Sequence, residues 1–314
     1  MSLLGTVGGA IVPVVAVAAL GFVLGRRKAV DPAPLNTVTV YVLAPALVFH
    51  TMATTQIPGR TLLGITIGSV AVSVLLVLTA EGWGRLRGQT EPMLGALVLV
   101  TAFPNVGNFG IPLAEFAFGQ TGRSVAVVMT VVQGVLLYTV GVYVAARGDE
   151  GTVRSNLRRV FELPLVYAVV AALGLRLVDL VPDHGSTTME TIELLGLSSI
   201  PLMLLVLGLQ LTDVRFEGTI RRVGVASGLK LLVAPVLGIA VAMAIGFEDP
   251  TIARTFVVLV AAPTAVTGII LVGAFGDEDA RAEQFVSATV LVTTVASLVT
   301  VTALIALLEL GVLF

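Results

Sequence analysis

The chain contains no cysteine and only two histidines among its 314 residues. The absence of thiols excludes disulfides, thiolate zinc sites and cysteine nucleophiles. Two imidazoles are too few for a metal site built from histidine. The net charge of −2 leaves no basic excess, so we expect no binding to nucleic acid.

Charged residues are also scarce, which indicates that lipid surrounds most of the folded chain. They make up 12 % of the chain, whereas apolar residues make up 56 % and the mean hydropathy is +1.03. Soluble domains carry about 25 % charged residues. A chain of this length cannot hide so much apolar surface from water, so we expect an all-α polytopic membrane protein.

Ten apolar segments approach the length of about 20 residues that a helix needs to cross a bilayer. The first is interpreted as a retained span, because its basic cluster follows the apolar run instead of preceding it. The longest polar connection is a predicted cytoplasmic loop at 147–161. The predicted spans are 5–25, 35–55, 61–80, 91–118, 123–146, 162–180, 188–210, 220–246, 251–275 and 282–312.

Lysine and arginine favour the loops on one side of the predicted bundle. That side carries Arg26, Arg27, Lys28, Arg85, Arg87, Arg147, Arg154, Arg158, Arg159, Arg215, Arg221, Arg222 and Arg281. The other side carries Arg60, Arg123, Arg176 and Arg254. Cytoplasmic loops hold the excess of basic residues, so we predict a plasma-membrane protein with both termini outside.

The chain resembles two copies of one five-span unit, at 1–146 and 162–314. The sequence Ala18–Gly21 recurs as Ala171–Gly174, and the second span of each half carries a proline, Pro45 or Pro201. Because five is odd, the second unit must enter the membrane from the opposite side. Inverted repeats of this kind are common in secondary transporters.

Two segments at mid-membrane depth are unsuited to a regular helix. The first lies in span four and contains Pro104, Asn105, Gly107, Asn108, Gly110 and Pro112. The second lies at the corresponding place in span nine and contains Pro263, Thr264, Thr267 and Gly268. Proline removes a backbone donor and glycine permits non-helical conformations. Lipid cannot satisfy the freed backbone groups, so we predict two broken helices that face protein or water.

Broken helices in both halves point to a substrate site. Each break creates a half-helix N-terminus with unpaired N–H groups and partial positive charge, which suits an anion. Asn105, Asn108, Thr264 and Thr267 are candidate substrate-binding side chains. The alternative is a pair of proline kinks whose asparagines bond between helices.

Several of these motifs resemble the auxin efflux carrier family, which includes the plant PIN-formed auxin exporters. Pro104–Asn105 and Gly110–Leu113 resemble the fourth span of that family, and Val132–Gln133 with Tyr138–Thr139 resembles the fifth. The run Lys230–Pro235 is similar to its eighth span, and Ala262–Pro263 is similar to its ninth.

The resemblance implies ten helices in two inverted five-helix repeats, with a crossover of broken helices 4 and 9. It also implies an elevator-type movement of a transport domain (spans 3, 4, 5, 8, 9 and 10) against a scaffold (spans 1, 2, 6 and 7). Asn105 would contact a carboxylate, and Pro112 and Pro263 would be crossover prolines. The chain departs from the plant pattern at Gly268 and Leu165, which leaves the substrate open, and also in its short central loop, which suggests little control by phosphorylation.

Other polar residues within spans are further candidates. Lys230 is predicted either to hold a substrate carboxylate or to form a structural pair. Gln133 either lines the site or bonds between helices. Glu115, one turn after the crossover, is a coupling-ion candidate or a solvated acid near the outer mouth.

We therefore expect a secondary transporter of small organic anions, with no cofactor and no catalytic site. Coupling to H+ or Na+ and a homodimeric state are both open. The alternative on the same fold is a sodium-coupled symporter of the bile-acid type, although the break in span nine lacks an acid. A receptor or intramembrane enzyme would need an output domain or a catalytic pair, and neither is visible.

Overall fold

The structure is a computed structural model that describes residues 3–55, 57–145, 147, 163–183, 185–212, 220–275 and 280–311. Within these ranges every regular element is a helix, apart from one isolated antiparallel bridge. Most of the predicted loop 147–161 lies outside the described residues, together with Arg154, Arg158, Arg159 and Arg215.

Helices occupy each of the predicted apolar segments. In chain order they are α1 (Leu3–Lys28), α2 (Pro32–Thr54), α3 (Gly59–Leu86), α4 (Met93–Ala102), α5 (Val106–Ala145), α6 (Pro164–Leu177), α7 (Thr187–Gln210), α8 (Ile220–Ile245), α9 (Pro250–Val260), α10 (Thr267–Phe275) and α11 (Ala280–Glu309). Six of them, α2, α3, α5, α7, α8 and α11, are long and apolar enough to span a bilayer. An all-helical membrane protein is thereby confirmed, and the division into ten spans stays a prediction.

Helix α5 folds back on itself at Gly119, which has φ 61° and ψ −149°. This conformation is open mainly to glycine. A Cβ added at Gly122 would lie 2.4 Å from the carbonyl oxygen of Ala114, whereas residues eight apart in a straight helix are separated by about 12 Å. The fold-back coincides with the boundary predicted between segments 91–118 and 123–146.

Helices α4 and α9 form the centre of the molecule. From Leu94 to Ala102, every residue of α4 is buried, and most of α9 is buried as well. Helix α4 is apolar on all sides, as expected of a helix in a core, and α4 and α9 are the helices that end at the predicted breaks.

Helices α1 and α7 pack with their backbones in close approach. A Cβ at Gly21 would lie 2.3 Å from the oxygen of Leu205, and one at Gly208 would lie 2.0 Å from the oxygen of Ala18. Small residues permit such contacts between membrane helices. The glycines therefore fix the distance between the two helices.

Two groups of loop residues lie close together in the structure, and each group comes from segments predicted to share one side of the membrane. On one side, a polar depression of about 530 Å³ is lined by parts of 54–61, 120–124 and 248–252. On the other side, Arg147 at the end of α5 contacts Glu81 of α3 and Glu91 before α4, at 2.7 and 2.9 Å. Segments predicted to share a side of the membrane therefore do contact one another.

Candidate functional site

The two helix breaks contact each other directly through their backbones. The amide of Asn105 donates to the carbonyl of Pro263 at 2.7 Å, and the amide of Ala265 donates to the carbonyl of Phe103 at 3.0 Å. Pro104 and Thr264 lie opposite each other as the antiparallel bridge. Neither segment is a continuous helix, and each break satisfies backbone groups that the other leaves unpaired.

Local sequence accounts for the way α4 ends. Phe103 has φ −110° and ψ 98°, an extended conformation. The residue before a proline is pushed out of the helical region, and Pro104 itself has no N–H to continue the helix. The chain therefore leaves the helix at Phe103 and becomes free to pair with residues from the other half.

Side chains from distant elements cap the carbonyl ends of both half-helices. The hydroxyl of Thr264 donates to the carbonyl of Val100, near the end of α4, at 2.7 Å. The ammonium of Lys230 donates to the carbonyl of Val260, the last residue of α9, at 3.2 Å. The hydroxyl of Thr293 accepts from the amide of Thr264 at 3.2 Å. The crossover is thus held by bonds from α8 and α11 as well as by its own backbone.

A cavity of about 390 Å³ lies beside the crossover. Asn105, Asn108, Gln133 and Thr267 line it, together with Pro104 and Gly107 of the first break. Further lining residues come from α2, α6 and α7 and include Val48, Leu165 and Met203, among others. Its volume and its mixture of apolar walls with a few polar groups are typical of small-molecule sites.

Two helix N-termini meet at this cavity. Helix α5 begins at Val106 and α10 begins at Thr267, and residues 105–108 and 265–267 all line the cavity. The first N–H groups of a helix lack intrahelical partners and carry partial positive charge, although the amides of Val106, Gly268 and Ile269 here bond carbonyls just before their helices. The described lining contains no charged side chain, so an anion there would be held by neutral donors and helix ends.

Gln133 presents an unpaired amide oxygen in the lining. Its side chain is buried, its Nε2 donates to the Ser73 hydroxyl at 3.0 Å, and its Oε1 has no partner among the described residues. A hydroxyl both donates and accepts, so Ser73 can also hold the amide in the reversed orientation. In that orientation the Gln133 NH₂ would be available to a bound carboxylate.

The remaining predicted residues lie outside the cavity wall. Thr264 and Lys230 donate hydrogen bonds to carbonyls at the helix ends. The breaks also contain residues that do not line the cavity, namely Pro112, Pro263, Gly110 and Gly268. Glu115 lies 3.3 Å from the guanidinium of the buried Arg123. Its role as a coupling-ion site stays a prediction, and the pairing with Arg123 is a contact that the sequence did not indicate.

The cavity also contains polar residues that the sequence patterns did not single out. Thr130 comes from α5, and the others come from the N-terminal part of α2 and from the last residue of α7, namely Asn36, Thr37, Thr39, Tyr41 and Gln210. The signal that could have found those of α2 and α7 is their position, because they flank the same predicted cytoplasmic side.

Two broken helices with a polar cavity at their crossing are features found in many membrane transporters. The chain belongs to the membrane transport protein family (Mem_trans), whose model matches residues 6–305. The family resemblance drawn from the Pro104 and Pro263 motifs is thereby confirmed. Its members are transporters, so the chain is a transporter and not an enzyme.

Individual relatives cover most of the chain at low identity. A protein of Rhizobium meliloti named "Putative malonate transporter" is 26 % identical over 89 % of this chain and 88 % of its own length. A protein of Methanothermobacter thermautotrophicus named "Uncharacterized transporter" is 25 % identical over 79 % of this chain and 81 % of its own length.

Proposed function

We propose that this protein is a secondary transporter that moves small organic anions, chiefly carboxylates, across the plasma membrane. The observation that carries the proposal is the convergence of two helix N-termini, at Val106 and Thr267, on one cavity. Backbone N–H groups at such ends bind carboxylates and phosphates. The name of the Rhizobium meliloti relative, which refers to malonate, supports the same substrate class.

Within this proposal, Asn105 and Asn108 contact the substrate from the first break and Thr267 contacts it from the second. Gln133 supplies a further hydrogen bond from the other half of α5. Neutral donors are sufficient, because a carboxylate that accepts several N–H bonds in a water-poor site is well stabilised. Apolar residues of α2, α6 and α7, such as Val48, Leu165 and Met203, then contact the body of the substrate.

Alternating access takes the form of an elevator movement. The proposed scaffold comprises α1, α2, α6 and α7, and the proposed transport domain comprises the remaining helices. The two inverted five-span repeats each contribute to both domains. The cavity is consistent with this division, because part of its lining comes from the crossover and from α5 and the rest comes from α2, α6 and α7. Substrate at this boundary would travel with the crossover when the domain slides.

The cavity extends toward the predicted cytoplasmic side. Asn36 follows the first basic loop, Leu163 follows the central loop and Gln210 ends α7, and all three line the cavity. With both termini outside, as the distribution of basic residues favours, the described conformation faces inward.

The test is uptake of labelled malonate into proteoliposomes, with other small carboxylates as competitors. Asn105→Ala and Thr267→Ala are expected to reduce saturable uptake at least about tenfold, since each removes a donor to a charged ligand. Thr191→Ala, which removes an exposed hydroxyl on α7, is the matched control and should transport like the parent protein. Full uptake by both cavity variants would contradict the site.

A further inference from the structure

A buried serine outside the cavity holds the side-chain amide of Gln133. Gln133 lies in α5, is buried and lines the cavity, and its Nε2 donates to the hydroxyl of Ser73 at 3.0 Å. Ser73 lies in α3, is 4 % exposed and is not part of the described cavity lining. Within the described residues, Ser73 is therefore connected to the cavity through Gln133.

The hydroxyl of Ser73 differs from three other hydroxyls of α3 in what it bonds. The hydroxyls that donate to the carbonyl four residues earlier in this helix belong to Thr66, Ser69 and Thr79. Among the described residues, the Ser73 hydroxyl makes no such bond, and its partner is the Gln133 amide. Because the helix backbone does not bind its proton, Ser73 is able either to accept from the amide or to donate to it.

The two orientations of the Gln133 amide leave different atoms unpaired. In the described orientation Nε2 donates to Ser73, and Oε1 has no partner among the described residues. In the reversed orientation Ser73 donates to Oε1, and the NH₂ takes the unpaired position. Both orientations keep a hydrogen bond between Ser73 and Gln133, so the group that occupies the cavity decides between them. A carboxylate accepts and does not donate, so it selects the NH₂.

We infer that Ser73 is a positioning residue for the substrate: by donating its hydroxyl to Oε1, it presents the NH₂ of Gln133 to a carboxylate in the cavity. The inference rests on the proposed function and deepens it, because it assigns a role in recognition to a residue that does not touch the substrate. It also gives a donor to Oε1, since a buried acceptor without one is costly.

Both partners of this hydrogen bond lie in the proposed transport domain, because α3 and α5 belong to it. The bond therefore stays intact when the domain moves, and Gln133 keeps its orientation while the substrate travels with the crossover. A contact across the boundary with the scaffold would instead be broken during the movement.

A serine that only supports packing gives a different pattern of effects. If Ser73 acts on uptake through Gln133, removal of its hydroxyl has no further effect once the amide is absent. If Ser73 only supports the packing of α3 against α5, its removal has the same effect with or without the amide. A double-mutant cycle separates these two cases.

The experiment measures malonate uptake into proteoliposomes by the parent protein, Ser73→Ala, Gln133→Leu and the double variant. Ser73→Ala is expected to raise the malonate concentration for half-maximal uptake about three- to tenfold, which corresponds to one lost hydrogen bond. The double variant is expected to have the same half-maximal concentration as Gln133→Leu alone.

Two further variants test the role of the hydroxyl itself. Ser73→Thr keeps a hydroxyl and is expected to recover most of the affinity that Ser73→Ala loses. Ser69→Ala is the matched control, because Ser69 is also buried, lies one turn earlier in α3 and bonds the carbonyl of Ile65 at 2.7 Å. Ser69→Ala should take up malonate like the parent protein.

Thermal unfolding of the same variants tests the hydrogen bond without malonate. The double variant should lose less stability than the sum of the two single variants, because removing both partners leaves neither group buried and unpaired. Additive losses would overturn the inference. If Ser73→Ala does not fold, Ser73→Cys replaces it in both cycles, since a thiol forms only weak hydrogen bonds.

The uptake results separate a failure of this inference from a failure of the proposed function. Additive effects on uptake, unchanged uptake by Ser73→Ala, or an equal loss in Ser69→Ala would overturn the inference and leave the proposed function standing. Absence of saturable malonate uptake by the parent protein would contradict the proposed substrate class, and the inference would fall with it.

Discussion

The backbone amide of Asn105 donates to the carbonyl of Pro263 at 2.7 Å, joining the break in one half of the chain to the break in the other. This hydrogen bond links the candidate substrate site to the packing of the two breaks. Asn105 precedes the first helical residue of α5 and also lines the cavity, so the contact that holds the crossover together also positions a predicted substrate ligand.

Thr264 is expected to stabilise the crossover through its hydroxyl. Thr264→Val keeps the shape of the side chain but leaves the buried carbonyl of Val100 without its 2.7 Å donor. An unsatisfied buried acceptor costs about 1–3 kcal/mol, which should appear as a lower unfolding temperature in detergent. Thr191→Val removes an exposed hydroxyl and should cost less. Equal stability of the two variants would contradict this role.

The close contact of α1 and α7 should not tolerate a methyl group. A Cβ at Gly208 would lie 2.0 Å from the carbonyl oxygen of Ala18, so Gly208→Ala should destabilise the protein by about 1–3 kcal/mol through overpacking. A Cβ at Gly174 in α6 would have no atom within 4 Å. Gly174→Ala should therefore be neutral or stabilising by up to about 1 kcal/mol. The unfolding temperatures of Gly208→Ala and Gly174→Ala, compared with that of the parent protein, test both expectations.

Gln133 should control which charge the cavity accepts. Gln133→Glu replaces an unpaired amide oxygen with a carboxylate in a lining that is otherwise uncharged in the described residues. Repulsion in such a site costs a few kcal/mol, so uptake of malonate should fall at least about tenfold. Gln133→Leu should have a smaller effect, because it removes hydrogen bonds without adding charge. Competition assays of malonate uptake by the two variants and the parent protein measure the difference.

Arg147 should stabilise the side of the bundle where the loops carry most arginines. It contacts Glu81 at 2.7 Å and Glu91 at 2.9 Å. Burial lowers the pKa of Arg147, but the hydrogen bonds and charges of the two glutamates outweigh burial and raise its pKa above the ordinary value. Because the pKa of Arg147 is raised on folding, its contribution to the free energy of unfolding is complete below the unfolded-state pKa. That contribution is lost only as the pH rises through the folded-state pKa. Because both values are strongly alkaline, the contribution should not vary across the neutral range.

The corresponding measurement is thermal unfolding of Arg147→Gln between neutral and mildly alkaline pH. Loss of the charged hydrogen bonds should cost about 1–3 kcal/mol at each pH. Arg60→Gln changes an arginine that is exposed at the start of α3 and should have little effect, as exposed charges contribute little. A penalty for Arg147→Gln that appears at only one end of this range would be inconsistent with a permanently charged group.

Much of the site was predictable because its signals are local. Pro104, Pro263 and the neighbouring glycines break helices wherever they stand, and lipid does not tolerate the freed backbone groups. The positions of the breaks, and the presence of Asn105, Asn108 and Thr267 beside them, therefore followed from residue types and spacing. The family resemblance followed from the same short motifs.

What the sequence by itself determined was an all-helical membrane protein with one broken segment in each half, since hydropathy and proline placement act over a few residues. Only the tertiary structure decided which groups meet at the breaks. Lys230 bonds the carbonyl of Val260 and Glu115 pairs with Arg123, and residues of α2 and α7 complete the cavity. These choices depend on how segments far apart in the chain pack together, and no local pattern of residue types encodes that packing.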